Sequence, residues 1–319
     1  MAPDVAGSIP VIHPTPFSMK PESVHTPSGF DVAGVGAAAL DYVCTLPTWP
    51  APAGPAAKLP VLDYQMSPGG QTATAMAACA AFGLRAAFAG VLGADSDGRR
   101  MREALETRGV DVTHAHVEGK QAYSIILLTT GSSERVVLWR AASARPGPPP
   151  LLDARLIHVD DTDEDAAVSA ARTARDAGRL VTTDIDRVTA RTRELMAVAT
   201  HPILAEHVPG ALTGESDLVT ALRHLRSLTA APLIVTRGAL GALALEGDDL
   251  IDVPGIAVDA IDTTGAGDVF RAGFITALLE GRGLPDCLRF ANAAAAASCE
   301  QSGAMGGIPD RARVEALAR

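Results

Sequence analysis

The residues most able to do chemistry stand together at Asp262-Thr263-Thr264-Gly265-Ala266-Gly267-Asp268, directly before Val269-Phe270-Arg271-Ala272-Gly273-Phe274-Ile275, whose pattern is helical. Small residues at a helix start leave successive backbone N–H groups open, and with the helix dipole these form an anion site. Asp268 sits in that first turn. A carboxylate there can take the proton of a substrate hydroxyl while the N–H groups hold charge developing on a transferred phosphoryl group. The alternative is a helix whose Asp only complements its own dipole. A second glycine-rich run, Gly34-Val35-Gly36-Ala37-Ala38-Ala39, fits a loose dinucleotide fingerprint. That chemistry needs a helix to begin in the turn, and Pro47, Pro50, Pro52 and Pro55 follow too closely for a full one. A G-x-x-x-x-G-K-[ST] phosphate loop is absent from the sequence.

The scaffold that must hold these residues is legible from Phe30 onward, where short apolar runs alternate with helical patterns. The pattern predicts strands at 32–36, 86–91, 156–159, 180–183 and 233–236. It predicts helices at 71–82, 96–108, 165–177, 189–199, 216–228, 266–279 and 285–300, three of them stopped by Gly83, Gly109 and Gly178. Such alternation implies an α/β fold with a parallel sheet covered by helices on both faces, and ligands at the carboxyl ends of the strands. Two stretches break it. Residues 42–66 are rich in proline, and 115–144 contain β-prone runs at 122–130 and 135–140 around Gly131-Ser132-Ser133. Together they read as a small β-lid on the α/β body. Pro146, Pro148, Pro149 and Pro150 mark the return to the body.

Composition narrows the partners. The chain has 319 residues, enough for a large core, with 47% hydrophobic and 20% charged residues, as in globular proteins. A net charge of -10 opposes a phosphate backbone, and 4% aromatics leave few platforms for bases, so nucleic acid is not an expected partner. Cys44, Cys79, Cys287 and Cys299 form no C-x-x-C pair and read as reduced thiols of a cytoplasmic protein. No apolar run is long enough to span a bilayer, and Pro3, Asp4, Pro10 and Pro14 stand where a signal peptide needs an apolar run. Residues 1–29 read as a poorly ordered leader, with 30–319 as the folded domain.

Residues 262–275 resemble, position for position, the second signature of the PfkB carbohydrate kinases, the ribokinase-like family. Further motifs agree in order: Ser67-Pro68-Gly69-Gly70, Gly90-Val91-Leu92-Gly93-Ala94-Asp95 with Gly98, Arg108-Gly109-Val110-Asp111, Thr236-Arg237-Gly238-Ala239-Leu240-Gly241, and Phe290-Ala291-Asn292-Ala293-Ala294-Ala295. The resemblance covers roughly 31–319 and implies a ribokinase-like fold that transfers the γ-phosphoryl of ATP, with Mg²⁺ on the phosphates, to a hydroxyl of a sugar, or of a nucleoside. It implies Asp268 as the base and Gly265, Ala266 and Gly267 as the anion hole. Thr236, Gly238, Gly241, Asp262 and Asn292 would border the nucleotide, and Asp41, Gly69 and Gly70 the substrate. The resemblance leaves room for a monovalent cation and for a homodimer joined through the lid. A ligand-binding regulator that kept the fold without catalysis is the reading of a different class; an intact Asp268 and anion hole argue against it.

The sequence departs from the family at two places. The Asn that many members place after the double glycine to bind sugar hydroxyls is Thr74 here. The N-x-x-E motif tied to Mg²⁺ is missing before Leu212-Thr213-Gly214, which leaves Glu206 as the candidate carboxylate. The strand at 156–159 runs into Asp160-Asp161-Thr162-Asp163-Glu164-Asp165. Asp160 and Asp161, nearest the strand end, are candidates to accept hydrogen bonds from sugar hydroxyls, while 163–165 could instead cap the next helix. Carboxylates at that point predict a neutral substrate, with Arg135 and Arg140 of the lid as the available counter-charges.

Overall fold

A computed structural model describes residues 29–130, 135–145 and 151–319. The expected leader up to residue 28, the Gly131-Ser132-Ser133 turn and the prolines at 146 and 148–150 lie outside the described residues. The chain runs β1 (Phe30–Val35), β2 (Ala39–Leu46), β3 (Asp63–Gly69), α1 (Gln71–Ala81), β4 (Ala86–Phe88), β5 (Val91–Leu92) and α2 (Ser96–Thr107). It continues with β6 (His116–Val117), β7 (Ala122–Thr129), β8 (Arg135–Arg140), β9 (Ala154–Asp160), α3 (Glu164–Asp176), β10 (Leu180–Asp184), α4 (Thr192–Val198), β11 (Ile203–Ala205), α5 (His207–Thr213) and α6 (Leu218–Leu225). β12 (Leu233–Thr236), β13 (Ala242–Glu246), β14 (Asp249–Val253), α7 (Ala266–Leu279), α8 (Leu284–Ser298) and α9 (Arg311–Leu317) complete it.

The body is the expected α/β sheet. Parallel strands in the order β10-β9-β1-β4 meet β11-β12-β13-β14 through bridges from Thr182 to His201 and from Ile185 to Leu204. Both faces are covered over most of the sheet, so the strands are largely apolar and their alternate residues enter different cores. Val32, Leu156 and Ile234 pack with residues of α1, α7 and α8. Ala33, Ile157, Val159 and Val235 pack with residues of α3, α4 and α6. The same period of two places Gly34, Gly36, His158, Asp160, Thr182 and Asp184 on the α1/α7 face, where the strands end.

Two local readings change. The single strand expected at 86–91 is β4 and β5, divided where a Cβ on Gly90 would come 2.2 Å from the Gly36 carbonyl oxygen. β5 pairs with β6, so 116–117 join the body rather than the lid. The antiparallel hairpin β13-β14 was not expected from the pattern at all. The lid is a separate sheet ordered β3-β2-β7-β8, with β2 parallel to β7 and antiparallel to β3. Tyr42 of β2 donates to the Asp97 carboxylate across 2.8 Å, and the buried Gln121 side chain accepts from Gly93 N–H at 2.8 Å while donating to the Ala38 carbonyl at 2.5 Å. These bonds fasten the lid root to the turn before α2.

Candidate active site

The start of α7 is built by Gly265, whose φ of 80° is in the left-handed region. A Cβ there would lie 2.8 Å from the Ala304 Cα, so no other residue fits without moving that backbone. The first i to i−4 bond of the helix runs from Val269 N–H to the Gly265 carbonyl at 2.9 Å, leaving the N–H groups of Gly267 and Asp268 ahead of the helical ladder. Asp262 braces this turn: its carboxylate accepts from Thr264 N–H at 2.9 Å and Gly303 N–H at 2.8 Å. Asp262, expected at the nucleotide, also fixes the loop that forms the anion turn.

Asp268 is half-buried in this turn, and desolvation together with the neighbouring Asp184, Asp160 and Asp41 carboxylates holds its carboxyl well above the usual range. Asp184 ends β10 in register with Asp160 at the end of β9. Burial pushes Asp184 up to about 6, against the pull of Arg271. Arg271 lies one helical turn beyond Asp268, and its guanidinium reaches Asp184 at 2.7 Å, both side chains 4% exposed. His158 is fully buried, bonded through Nδ1 to the Thr182 hydroxyl at 3.0 Å; burial and then the Arg271 charge lower its pKa to about 3, so it stays neutral. Sequence reasoning missed Asp184, Arg271 and His158. An arginine inside the apolar helix 269–279 was the signal available, because such a position asks for an apolar residue unless a buried anion faces it.

On the substrate side the structure separates the acidic run at 160–165. The Asp160 carboxylate is buried and accepts from Ala37 N–H at 2.6 Å, the Thr72 hydroxyl at 2.7 Å and Thr162 N–H at 2.9 Å. It knots β9 to the β1-β2 turn and to α1, and a Cβ on Gly36 would stand 2.2 Å from it. Asp161 comes one step later in the alternation, where it accepts from Asp186 N–H, Arg187 N–H and the Arg187 guanidinium, the last at 2.7 Å. Four protein donors engage it, so Asp161 is an anchor of the 186–187 loop and not the hydroxyl acceptor the sequence suggested. Asp163 caps α3 by accepting from Ala166 N–H at 3.2 Å. Asp41 is 9% exposed, and its carboxylate lies where a Cβ on Gly69 would come within 2.5 Å. Gly70 runs equally close to the Ala38 backbone. The Thr74 hydroxyl is buried with no hydrogen-bond partner among the described residues. Arg140 of β8 stacks over the Tyr123 ring at 5.8 Å; the Arg135 side chain lies outside the described residues.

A cavity of about 530 Å³ opens beside the anion turn, within the range of small-ligand sites. Thr236, Gly238 and Gly241 line it from the β12-β13 side, Ala266 and Gly267 from α7, and Asn292 from α8. Six residues expected around a nucleoside triphosphate thus share one wall system. The Asn292 amide is spent on the Val253 and Pro254 carbonyls at 3.0 and 3.1 Å, so it shapes the cavity through the end of β14. Glu206 follows β11, whose Ala205 pairs with Thr236, and its side chain is exposed at that edge. No group of three or more His, Cys, Asp or Glu able to cage a metal occurs among the described residues.

An anion turn between a nucleotide-sized cavity and a half-buried carboxylate, on this sheet, defines a phosphotransferase with an alcohol group as acceptor. The chain belongs to the pfkB family carbohydrate kinases, whose profile matches residues 35–311. It is 28% identical over 292 residues to a ribokinase of Haemophilus influenzae, covering 87% of this chain and 94% of that one. It is also 28% identical over 290 residues to a nucleoside kinase of Methanothermobacter thermautotrophicus, covering 88% and 93%. Arabidopsis thaliana ribokinase complexed with ribose and ATP superposes with a TM-score of 0.80 at 23% identity over 91% of this chain and 99% of that one. Aminoimidazole riboside kinase of Salmonella enterica, with aminoimidazole riboside and an ATP analogue, gives 0.74 at 25% over 90% and 99%. The ribokinase-like fold is therefore shown, and the chain is a sugar or nucleoside kinase. No helix among the described residues is long and apolar enough to cross a membrane.

Proposed function

We propose that the protein transfers the γ-phosphoryl group of ATP to a hydroxyl of a neutral sugar. The observation that carries this reading is the net charge of the acceptor side: Asp41, Asp160 and Asp184 all bear on Asp268, against one buried cation among the described residues, Arg271. A phosphate or sulfonate brought into that surrounding meets like charge at low dielectric, costing on the order of 1 kcal/mol or more per contact. In the step itself Asp268 takes the acceptor proton as the hydroxyl oxygen bonds to the γ-phosphorus. The bond to the ADP oxygen breaks, and the N–H groups at Gly267 and Asp268 meet the charge on the phosphoryl oxygens. Mg²⁺ supplies neutralisation of the phosphate charge. Glu206 is the carboxylate at the nucleotide edge that would hold it. Asp41 and Thr74 are the groups proposed to receive the sugar hydroxyls.

The test is ADP release against a panel of neutral sugars, nucleosides and their phosphorylated counterparts. A neutral sugar is expected to give a kcat/KM at least about fivefold above its phosphorylated form, the equivalent of one such contact. A higher value for a phosphorylated or sulfonated sugar than for every neutral acceptor overturns the assignment. A nucleoside remains the second reading, because the ribokinase and the nucleoside kinase match this chain equally well; preference for a nucleoside over every free sugar would select it.

The lid further supports a homodimer. Leu62 and Tyr64 near one edge of its sheet and Leu138 and Trp139 at the other are 54%, 57%, 53% and 67% exposed. Apolar side chains displayed on one small sheet are covered most simply by a second copy. Sedimentation should show a dimer, and Trp139→Glu should shift it to monomer; a wild-type monomer at micromolar concentration would refute this.

A further inference from the structure

One charged group in this site has no part in the transfer step described above. Arg271 is the buried cation, and it makes two directed contacts: Nη1 donates to the Gly267 carbonyl at 3.1 Å and Nη2 meets the Asp184 carboxylate at 2.7 Å. The first holds the backbone of the anion turn. The second fixes that turn to the end of β10, whose register partner Asp160 is in turn knotted to Ala37 and Thr72. A Cβ on Gly267 would come 3.0 Å from Nη1, so the glycine there also makes room for the guanidinium. The Arg271 Nε is buried with no partner among the described residues, a cost to the fold with no stabilising return.

Building on the assignment of Asp268 as the base, we propose that Arg271 is a positioning residue of the reaction, which clamps the Gly267-Asp268 turn to the end of β10 through the Gly267 carbonyl and the Asp184 carboxylate. The groups facing Asp268 are Asp184 from β10, Asp160 from β9, Asp41 from β2 and Arg271 from its own helix. The neutral His158 of β9 adds no positive charge. Three carboxylates and burial therefore favour the protonated, inactive form, and Arg271 is the one group among these four that opposes it. The ion pair with Asp184 matters in the same direction, because it offsets the charge of the largest carboxylate neighbour.

Two substitutions of opposite sign separate this role from mere scaffolding. In Arg271→Met the Asp268 carboxyl, followed by ¹³C NMR, and the acid limb of kcat should both move up by about one pH unit or more. In Asp184→Asn, where a negative neighbour is lost, both should move down. Arg271→Lys should bring the limb back toward the wild-type position while kcat stays reduced, because an ammonium cannot span the Gly267 carbonyl and Asp184 together. Should Arg271→Met fail to fold, Arg271→Gln, which removes the charge and keeps a side-chain amide for the Gly267 carbonyl, gives the upward sign in its place. An unmoved Asp268 titration, or the same direction of movement in the Arg271 and Asp184 variants, overturns the proposal and leaves Arg271 a structural ion pair. The NMR readout requires no turnover. A shifted carboxyl in a protein that phosphorylates no acceptor would leave the positioning role intact and fail the kinase assignment instead.

Discussion

Asp268→Asn is expected to lower kcat by about 10²- to 10⁴-fold, the usual share of a positioned general base, with nucleotide affinity nearly unchanged. The asymmetry between the two effects follows from the geometry. The nucleotide cavity is walled by Gly238, Gly241, Gly267 and Asn292, and the Asp268 side chain is not among its lining groups. The Asn side chain nearly matches Asp in volume and removes the group that accepts the proton. It also removes one of four crowded carboxylates, so the variant should unfold at an equal or higher temperature than the wild type. Steady-state kinetics with calorimetric ADP titration and thermal unfolding on one sample give all three quantities. Turnover within a few fold of wild type would mean that Asp268 only complements the dipole of α7.

Asp160→Ala is expected to act on stability first. The carboxylate is buried and satisfies the Ala37 and Thr162 N–H groups and the Thr72 hydroxyl. Its removal strands these donors, each costing about 1 to 3 kcal/mol when no solvent replaces the acceptor. A loss of about 3 to 5 kcal/mol in denaturant unfolding is therefore expected, with residual activity at low temperature carried by Asp268 and Asp41. The opposite pattern, normal stability with a selective rise in KM for the acceptor, would restore Asp160 to the hydroxyl-binding role read from the sequence.

That pair of outcomes marks how far the sequence could be read. The anion turn, Asp268 and the nucleotide loop are contiguous runs whose chemistry depends on local backbone form, so Gly265-Ala266-Gly267-Asp268 and Thr236 to Gly241 were visible as written. The parallel body was equally visible, because strands buried on both faces read as short apolar runs between helical patterns. What was not visible depends on partners far apart in the chain. Whether Asp160 or Asp161 is free for substrate is decided by Thr72 and Arg187, which lie 88 and 26 residues away. Asp184 and Arg271 become a site only when β10 and α7 pack. The β13-β14 hairpin escaped for a different reason: Gly247-Asp248 between two five-residue runs is a faint signal beside long helices.

The junction between β1 and β2 also has a mechanical meaning. The lid sheet departs from the body through Gly36, Ala37 and Ala38, and the chain returns through Gly69 and Gly70 into α1. Asp160 holds the Ala37 N–H, Gln121 holds the Ala38 carbonyl, and Gly70 touches the same three-residue segment. A rotation of the lid relative to the body would be absorbed in part by torsions in these few residues. Under the proposed function, a molecule seated beside Asp41 and Gly69 would bear directly on the torsions at this root, so occupancy of the acceptor side and the attitude of the lid would be one mechanical variable.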